Sequence, residues 1–111
     1  MKVTTMLVSA MLVLGVAGVA HATNMFAGPL NATSGCTCVI VNVTTTTKTV
    51  FIQLLNKGGI EVTHLTAVLD AGEADGVSAA TSSLNYCKFT NAAPVSFRAM
   101  IVCDSVAAPA R

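Results

Sequence analysis

The central segment of this chain reads TVFIQLLNKGGIEVTHLTAVL (residues 49–69). Two runs rich in Val, Ile, Leu and Thr flank Asn56-Lys57-Gly58-Gly59, and glycine readily takes the positive φ that tight hairpin loops require. The segment therefore predicts an antiparallel β-hairpin. With residues 57–59 as the loop, Leu54 faces Val62 and Ile52 faces His64 across the two strands.

Short runs of the same composition occur on both sides of this hairpin, separated by Gly, Asn and Asp turns. They are Cys36 to Val43, a weaker edge run from Val77 to Thr81, Leu84 to Thr90, and Val95 to Cys103. Apolar residues alternate in the last run, which is typical of a strand with one buried face. The pattern predicts an all-β protein: a small antiparallel β-sandwich of immunoglobulin type with about six strands, or alternatively a small β-barrel. The last two runs are expected to pair as a hairpin through residues 91–94.

The N-terminus has the pattern of a secretory signal peptide. Met1-Lys2 is followed by an uncharged stretch from Val3 to Ala20, and Ala20-His21-Ala22 presents small residues at the positions that a signal peptidase reads. We expect cleavage after Ala22 and a secreted or periplasmic protein. A retained anchor is the alternative, and the lack of a basic stop-transfer cluster disfavours it.

Cleavage of the signal peptide (residues 1–22) would leave 89 of the 111 residues, enough for one domain. Residues 23–35 are polar and interrupted by Gly28-Pro29, which predicts a flexible lead-in. Residues 36–104 are expected to form a single β domain, and residues 105–111 a loose tail.

The segment downstream of the predicted cleavage site is formally neutral, with five Lys or Arg and five Asp or Glu residues. A neutral surface predicts no binding to nucleic acid. No second apolar run approaches the roughly 20 residues of a membrane span, so we expect no membrane association after cleavage.

The four cysteines allow three disulfide pairings. Alternate residues on a strand lie about 6.6–7 Å apart, which disfavours Cys36–Cys38. If the last two runs form a hairpin, Cys103 lies about 16 Å beyond the residue opposite Cys87, which disfavours Cys87–Cys103. The prediction is therefore Cys38–Cys87 and Cys36–Cys103. A thiolate metal site at Cys36-x-Cys38 is the alternative, disfavoured because exported thiols are oxidised.

No other residues form a catalytic, metal or cofactor motif. His64 has no partner for triad chemistry, and we expect it at the rim of the core beside Ile52. The acidic residues Asp70, Glu73 and Asp75 lack the ligand spacing of a calcium loop, so we interpret them as a solvated turn. The sequence accordingly predicts a protein that is not an enzyme and binds no cofactor.

Three motifs carry a resemblance: Cys38-Val39-Ile40-Val41-Asn42-Val43, Tyr86-Cys87-Lys88-Phe89 and Val95-Ser96-Phe97-Arg98-Ala99. Together they resemble a loose set of small exported bacterial proteins of unknown function. The resemblance implies a β-sandwich in the periplasm or outside the cell, and it implies no activity.

The leading functional hypothesis is an exported non-enzymatic β domain with a structural or binding role. It would contact a partner protein through a sheet face or a strand edge. The alternatives are a periplasmic metal-handling protein that uses Cys36-x-Cys38, and a pilin-like subunit of a surface assembly. A pilin-like subunit needs a donor strand, and residues 23–35 lack the alternating apolar pattern that a donor strand would have.

Overall fold

The structure, a computed structural model, describes residues 23–111, and the predicted signal peptide (residues 1–22) lies outside them. The described part of the chain contains no helix. Its eight strands are β1 (Asn24–Ala32), β2 (Cys36–Asn42), β3 (Lys48–Asn56), β4 (Glu61–Leu69), β5 (Ala74–Ala79), β6 (Ser83–Thr90), β7 (Phe97–Cys103) and β8 (Val106–Pro109).

The strands form two four-stranded antiparallel sheets that pack face to face. The first sheet has the order β1-β6-β3-β4, and the second has the order β5-β2-β7-β8. This architecture confirms the predicted all-β sandwich, with eight strands rather than about six.

One side of the sandwich is joined by backbone hydrogen bonds. Phe26 of β1 and Arg111 exchange two bonds of 2.9 Å, and Ala27 bridges Ala110. Within residues 23–111 no such bridge joins β4 to β5 on the opposite side. The fold is therefore a sandwich with one tied side and one open side.

The core lies between the sheets and follows the two-residue period of the strands. Buried positions alternate strictly in β2, as Cys36, Cys38 and Ile40 do, and they alternate in β3 from Val50 to Leu54. The largest fully buried apolar side chains are Phe89, Phe97, Ile40, Ile52, Leu54, Leu69 and Ile101. Two amides, Asn42 and Asn85, are buried among them.

The predicted lead-in and tail are both wrong, because each contributes a strand. Residues 24–32 form β1, which places Met25 and Ala27 in the core. The pairing of β1 with β6 shifts between Ala27 and Leu30, around Gly28-Pro29, and this interruption hides the strand pattern in the sequence. Residues 106–109 form β8 against the outer edge of β7. The sandwich therefore extends beyond the predicted limits of 36 and 104.

The central hairpin forms as predicted, but its register changes along the strands. Leu55 lies opposite Glu61, as the predicted loop requires. A bulge at Val62 then shifts the pairing by one residue, because Leu54 faces Thr63 rather than Val62. His64 consequently faces Gln53 and lies on the outer surface instead of beside Ile52.

The predicted hairpin between the last two runs is also wrong. β6 lies in the first sheet and β7 in the second, so the connection at residues 91–96 crosses between sheets. β7 begins only at Phe97, and Val95 is 83% exposed rather than buried.

Candidate functional site

Both disulfides start from β2. Cys36 is bonded to Cys103, its direct neighbour on β7, with their Cα atoms 4.2 Å apart. Cys38 is bonded to Cys87 on β6 in the opposite sheet, with a Cα–Cα distance of 5.8 Å. This is the pairing that the sequence favours, although Cys87 and Cys103 are kept apart by lying in different sheets rather than by a hairpin.

The disulfides use every cysteine in residues 23–111, and all four are buried. Cys36-x-Cys38 therefore offers no thiolate to a metal in this oxidised form. The described residues also contain no cluster of three or more His, Cys, Asp or Glu side chains placed to hold a metal ion.

His64 lies on the outer face of the first sheet. Its Nδ1 is 2.7 Å from Oε2 of Glu61, and its ring centroid is 5.4 Å from that of Phe51. The Gln53 amide donates to Glu61 at 2.9 Å, and this bond and the one with His64 lower the pKa of Glu61. The predicted position of His64 at the rim of the core is therefore wrong, because the bulge at Val62 turns this side chain to the outer face.

The three acidic residues of the predicted turn point to different partners. Asp70 accepts a bond from the Thr47 hydroxyl, Glu73 accepts one from the Asp70 backbone N–H, and Asp75 accepts one from the Gly76 N–H. Each carboxylate therefore accepts a hydrogen bond from a nearby backbone or loop group, and the three do not converge on one point.

The outer face of the second sheet is the most distinctive surface of the molecule. Its central positions, which we call the aliphatic face, are Val39, Val41, Met100, Val102, Ala107 and Pro109. They are outward because they alternate with the buried positions of the same strands. Antiparallel sheets of small sandwiches usually turn a polar face to water, so an aliphatic outer face is unusual.

A groove of about 470 Å³ runs along one end of this face. Aliphatic and aromatic side chains line it, with Val41, Phe97 and Met100 among them. The single charged residue in its lining is Arg98, whose guanidinium donates to the carbonyl oxygens of Pro94 at 2.7 Å and Phe97 at 3.0 Å. The two backbone carbonyl groups thus fix the orientation of the Arg98 guanidinium, and its other N–H groups remain able to donate to a ligand.

The outer face of the first sheet differs in chemistry. Paired positions there carry Phe26, Lys88, Gln53 and His64 in one row across the four strands. Charged and amide groups break up its aromatic surface. Only the second sheet therefore presents a continuous aliphatic surface.

Alternation in the run from Val95 to Cys103 predicts one buried face and places Arg98 and Met100 on the other face, where the structure has both exposed, but it does not show that this outer face is apolar. The missed signal is in β2, where outward Val39 and Val41 alternate with inward Cys38 and Ile40. A strand without polar residues at its central outward positions is apolar on both faces. Such a run predicts a second covered surface.

A carboxylate clasp joins two loops at one end of the molecule. The side chain of Asp104, in the turn between β7 and β8, accepts bonds from the backbone N–H and hydroxyl of both Thr33 and Ser34. These four bonds, led by the one from the Ser34 hydroxyl, lower the pKa of Asp104 far below its usual range. The clasp holds the β1–β2 connection against the β7–β8 turn.

Replacing Asp104 with asparagine is expected to remove an acid-dependent part of the stability. Because the folded-state pKa is lowered, the ionised carboxylate stabilises the fold above its ordinary pKa, and this contribution is lost as the pH falls below about 4. Urea midpoints at neutral pH and at about pH 2.5 measure the effect. The variant should be less stable at neutral pH and lose less on acidification; equal losses in both proteins would contradict the clasp.

Comparisons with known proteins add little. The chain matches no protein-family model and no curated protein. One solved structure, described as FlgD from P. aeruginosa, is similar at 11% identity over 85% of this chain and 73% of that chain, with a TM-score of 0.32. Similarity at this level carries no argument about fold or function. In the described residues, no helix is long and apolar enough to cross a membrane.

Proposed function

We propose that this protein is an exported, non-enzymatic binding domain, and that the aliphatic face is where a partner protein docks. The observation that carries the proposal is the near absence of charge on the outer face of the second sheet. Across its four strands, Arg98 is the one charged outward residue. Contiguous apolar surface of this kind on a small soluble domain marks interaction sites.

The exposure of this surface supports a protein partner. Met100 is 43% exposed although it is flanked by Val39 and Pro109 in the same row of the sheet. Because the sandwich already has a complete core between its sheets, folding does not require these side chains to be apolar. A partner that buries them gains the free energy of removing that apolar area from water.

The chemistry of the groove supports a binding role rather than catalysis. Its lining is aliphatic or aromatic except for Arg98, and that guanidinium already donates to two carbonyl groups. A single guanidinium beside apolar walls suits recognition of an apolar segment that carries one negative group. It supplies neither a nucleophile nor a general base.

Two disulfides indicate an oxidising environment. Together with the signal-peptide pattern of residues 1–22, they support a periplasmic or secreted location. Under this proposal, the mature protein begins at Thr23, one residue before β1.

Site-specific photo-crosslinking in the producing cells tests the docking surface. A photoreactive residue at Met100 should give a discrete heavier adduct, whereas one at Lys57, in the exposed hairpin loop, should not. Adding Val39→Lys should reduce the adduct about tenfold, because a penalty near 1.4 kcal/mol suffices for that loss. The matched variant Thr49→Lys adds the same charge to the other sheet and should leave the yield unchanged. Equal adducts from both positions, or no loss with Val39→Lys, would overturn the proposal.

A further inference from the structure

The four sheet edges of the sandwich are not equally protected. An open edge presents unpaired N–H and C=O groups that pair with other strands, and proteins usually block it with proline, bulges, short strands or covering segments. β1 contains Pro29 and a register shift, and Phe26 bonds to Arg111 beside it. β8 has four residues and ends at Pro109.

The third edge, β5, carries a side-chain cap. The carboxylate of Asp75 accepts a bond of 2.7 Å from the backbone N–H of Gly76, its neighbour on the strand. That carboxylate occupies a donor which an incoming strand would otherwise use. The strand is also short, at six residues.

In the part of the chain that the structure describes, the fourth edge, β4, has none of these devices along most of its length. It spans nine residues without proline, glycine or lysine, and within residues 23–111 it pairs only with β3. Its single irregularity, the bulge at Val62, lies near one end. Val68 is 65% exposed on this strand.

The direction of the backbone groups on β4 follows from its neighbour. The carbonyl oxygen of Thr49 accepts a bond from the Asn91 side chain, so it points toward β6 and away from β4. Thr49 lies opposite Val68, and residues opposite each other in an antiparallel pair either both face each other or both face away. The N–H and C=O groups of Val68, Thr66 and His64 therefore point outward, to the open side.

We propose that the β4 edge pairs antiparallel with the β4 edge of a second copy of this chain, about a two-fold axis at Leu65. The two first sheets then form one continuous eight-stranded sheet. The β4 contact does not involve the aliphatic face, so the result of testing it does not depend on the proposed docking function.

Self-complementarity favours a second copy over an unrelated strand. In this register all nine residues of β4 overlap, and His64 of each copy lies opposite Thr66 of the other. Inward residues such as Leu65 and Ala67 stay on the inner face of the joined sheet, because the pairing keeps odd residues opposite odd ones.

The charges on β4 also permit self-pairing. Glu61 is the one acidic residue of the strand, and it lies at the end farthest from Leu69. In the proposed register Glu61 faces Leu69 of the other copy, so the two carboxylates are about 27 Å apart along the strands. No like charges oppose each other across the axis, where they would be most destabilising.

Sedimentation equilibrium over a wide concentration range tests this contact. Edge pairing buries a small area, so we expect a weak dimer that dissociates on dilution. Thr66→Lys should weaken association at least about tenfold, because the two ammonium groups are then diagonal neighbours across the axis and each lies opposite His64 of the other copy. Thr66→Val keeps the backbone donor and favours a strand, so it should dimerise at least as well as the unmodified protein.

Thr66 is exposed, so neither substitution should alter the monomer, and circular dichroism with a thermal melt verifies this. A monomer at every concentration would overturn the inference, and so would equal association of the Lys and Val variants. Met100→Lys serves as the second control. If it abolishes the dimer while Thr66→Lys does not, self-association uses the aliphatic face and the β4 contact is wrong.

Discussion

Replacing Asn42 with alanine is expected to lower the free energy of unfolding by about 3–4 kcal/mol. Asn42 is fully buried, and its amide nitrogen donates to the carbonyl oxygens of Thr46 and Leu69 at 2.8 and 2.9 Å. Its side-chain oxygen accepts bonds from the N–H and hydroxyl of Thr44. Alanine would remove all of these bonds, and each buried group left unpaired costs about 1–3 kcal/mol, whereas the exposed Thr46 carbonyl would still accept from the Thr44 hydroxyl at 3.0 Å.

The position of Asn42 in the fold explains the size of the effect. Its backbone N–H donates to the Glu73 carbonyl, and its own carbonyl accepts from the Gly72 N–H, both at 2.9 Å. The residue therefore joins the end of β2, the loop at residues 43–47 and the turn that carries the chain from the first sheet into β5. Loss of its side chain should loosen all three segments.

Urea unfolding at neutral pH measures the loss, and Asn31→Ala is the matched control. Asn31 is an exposed asparagine on β1, so its replacement should change the stability by no more than about 0.5 kcal/mol. Asn42→Asp sharpens the test, because a carboxylate of the same shape would face carbonyl oxygens instead of donating to them. It should be at least as damaging as alanine at neutral pH. A cost below about 1 kcal/mol for either variant would show that the network does not hold these segments together.

Removing the disulfide between the sheets by Cys38→Ala with Cys87→Ala should cost about 4 kcal/mol. The bond closes a loop with a sequence separation of 49, which the chain-entropy description of the unfolded state values at about 4 kcal/mol. Small domains of this size are often stable by only about 5–15 kcal/mol. The variant should therefore unfold at a much lower denaturant concentration than the unmodified protein.

The second disulfide provides the control. Cys36→Ala with Cys103→Ala removes a bond between neighbouring strands, which seven residue pairs of the β2–β7 ladder still hold together. Its loop is the longer one, with a sequence separation of 67, so the same chain-entropy description values this bond at about 4.4 kcal/mol, and we expect its removal to cost about as much as removal of the bond between the sheets. If either pair of substitutions costs less than about 1 kcal/mol, that bond does not constrain the unfolded chain as this description requires. Full reduction should abolish cooperative unfolding, and retention of a sharp transition would contradict the role of both bonds.

The sequence predicted the strands whose pattern is uninterrupted. β2, β3, β4, β6 and most of β7 coincide with runs of Val, Ile, Thr and Phe, and Gly59 in the hairpin loop at residues 56–59 takes the positive φ that suits glycine. β1 was missed because Gly28-Pro29 divides it into two short halves. Neither half is long enough to show a period, although Met25 and Ala27 are buried once β6 lies beside them.

The candidate surface was only partly predictable. The outward position of Met100 follows from alternation within β7, but the continuity of the aliphatic face depends on which strands lie beside it. Val39 meets Met100, and Met100 meets Pro109, only because β2, β7 and β8 are neighbours in the second sheet. Alternation assigns a side chain to a face without saying what lies next to it.

The sequence by itself determined the class of the fold, the central hairpin and the supply of four cysteines, because strand period and turn chemistry act over a few residues. The tertiary structure alone decided which sheet each strand joins, the shift that turns His64 outward and the contrast between the protected edges and β4. These features depend on contacts between residues far apart in the chain, whose free energies no local pattern records.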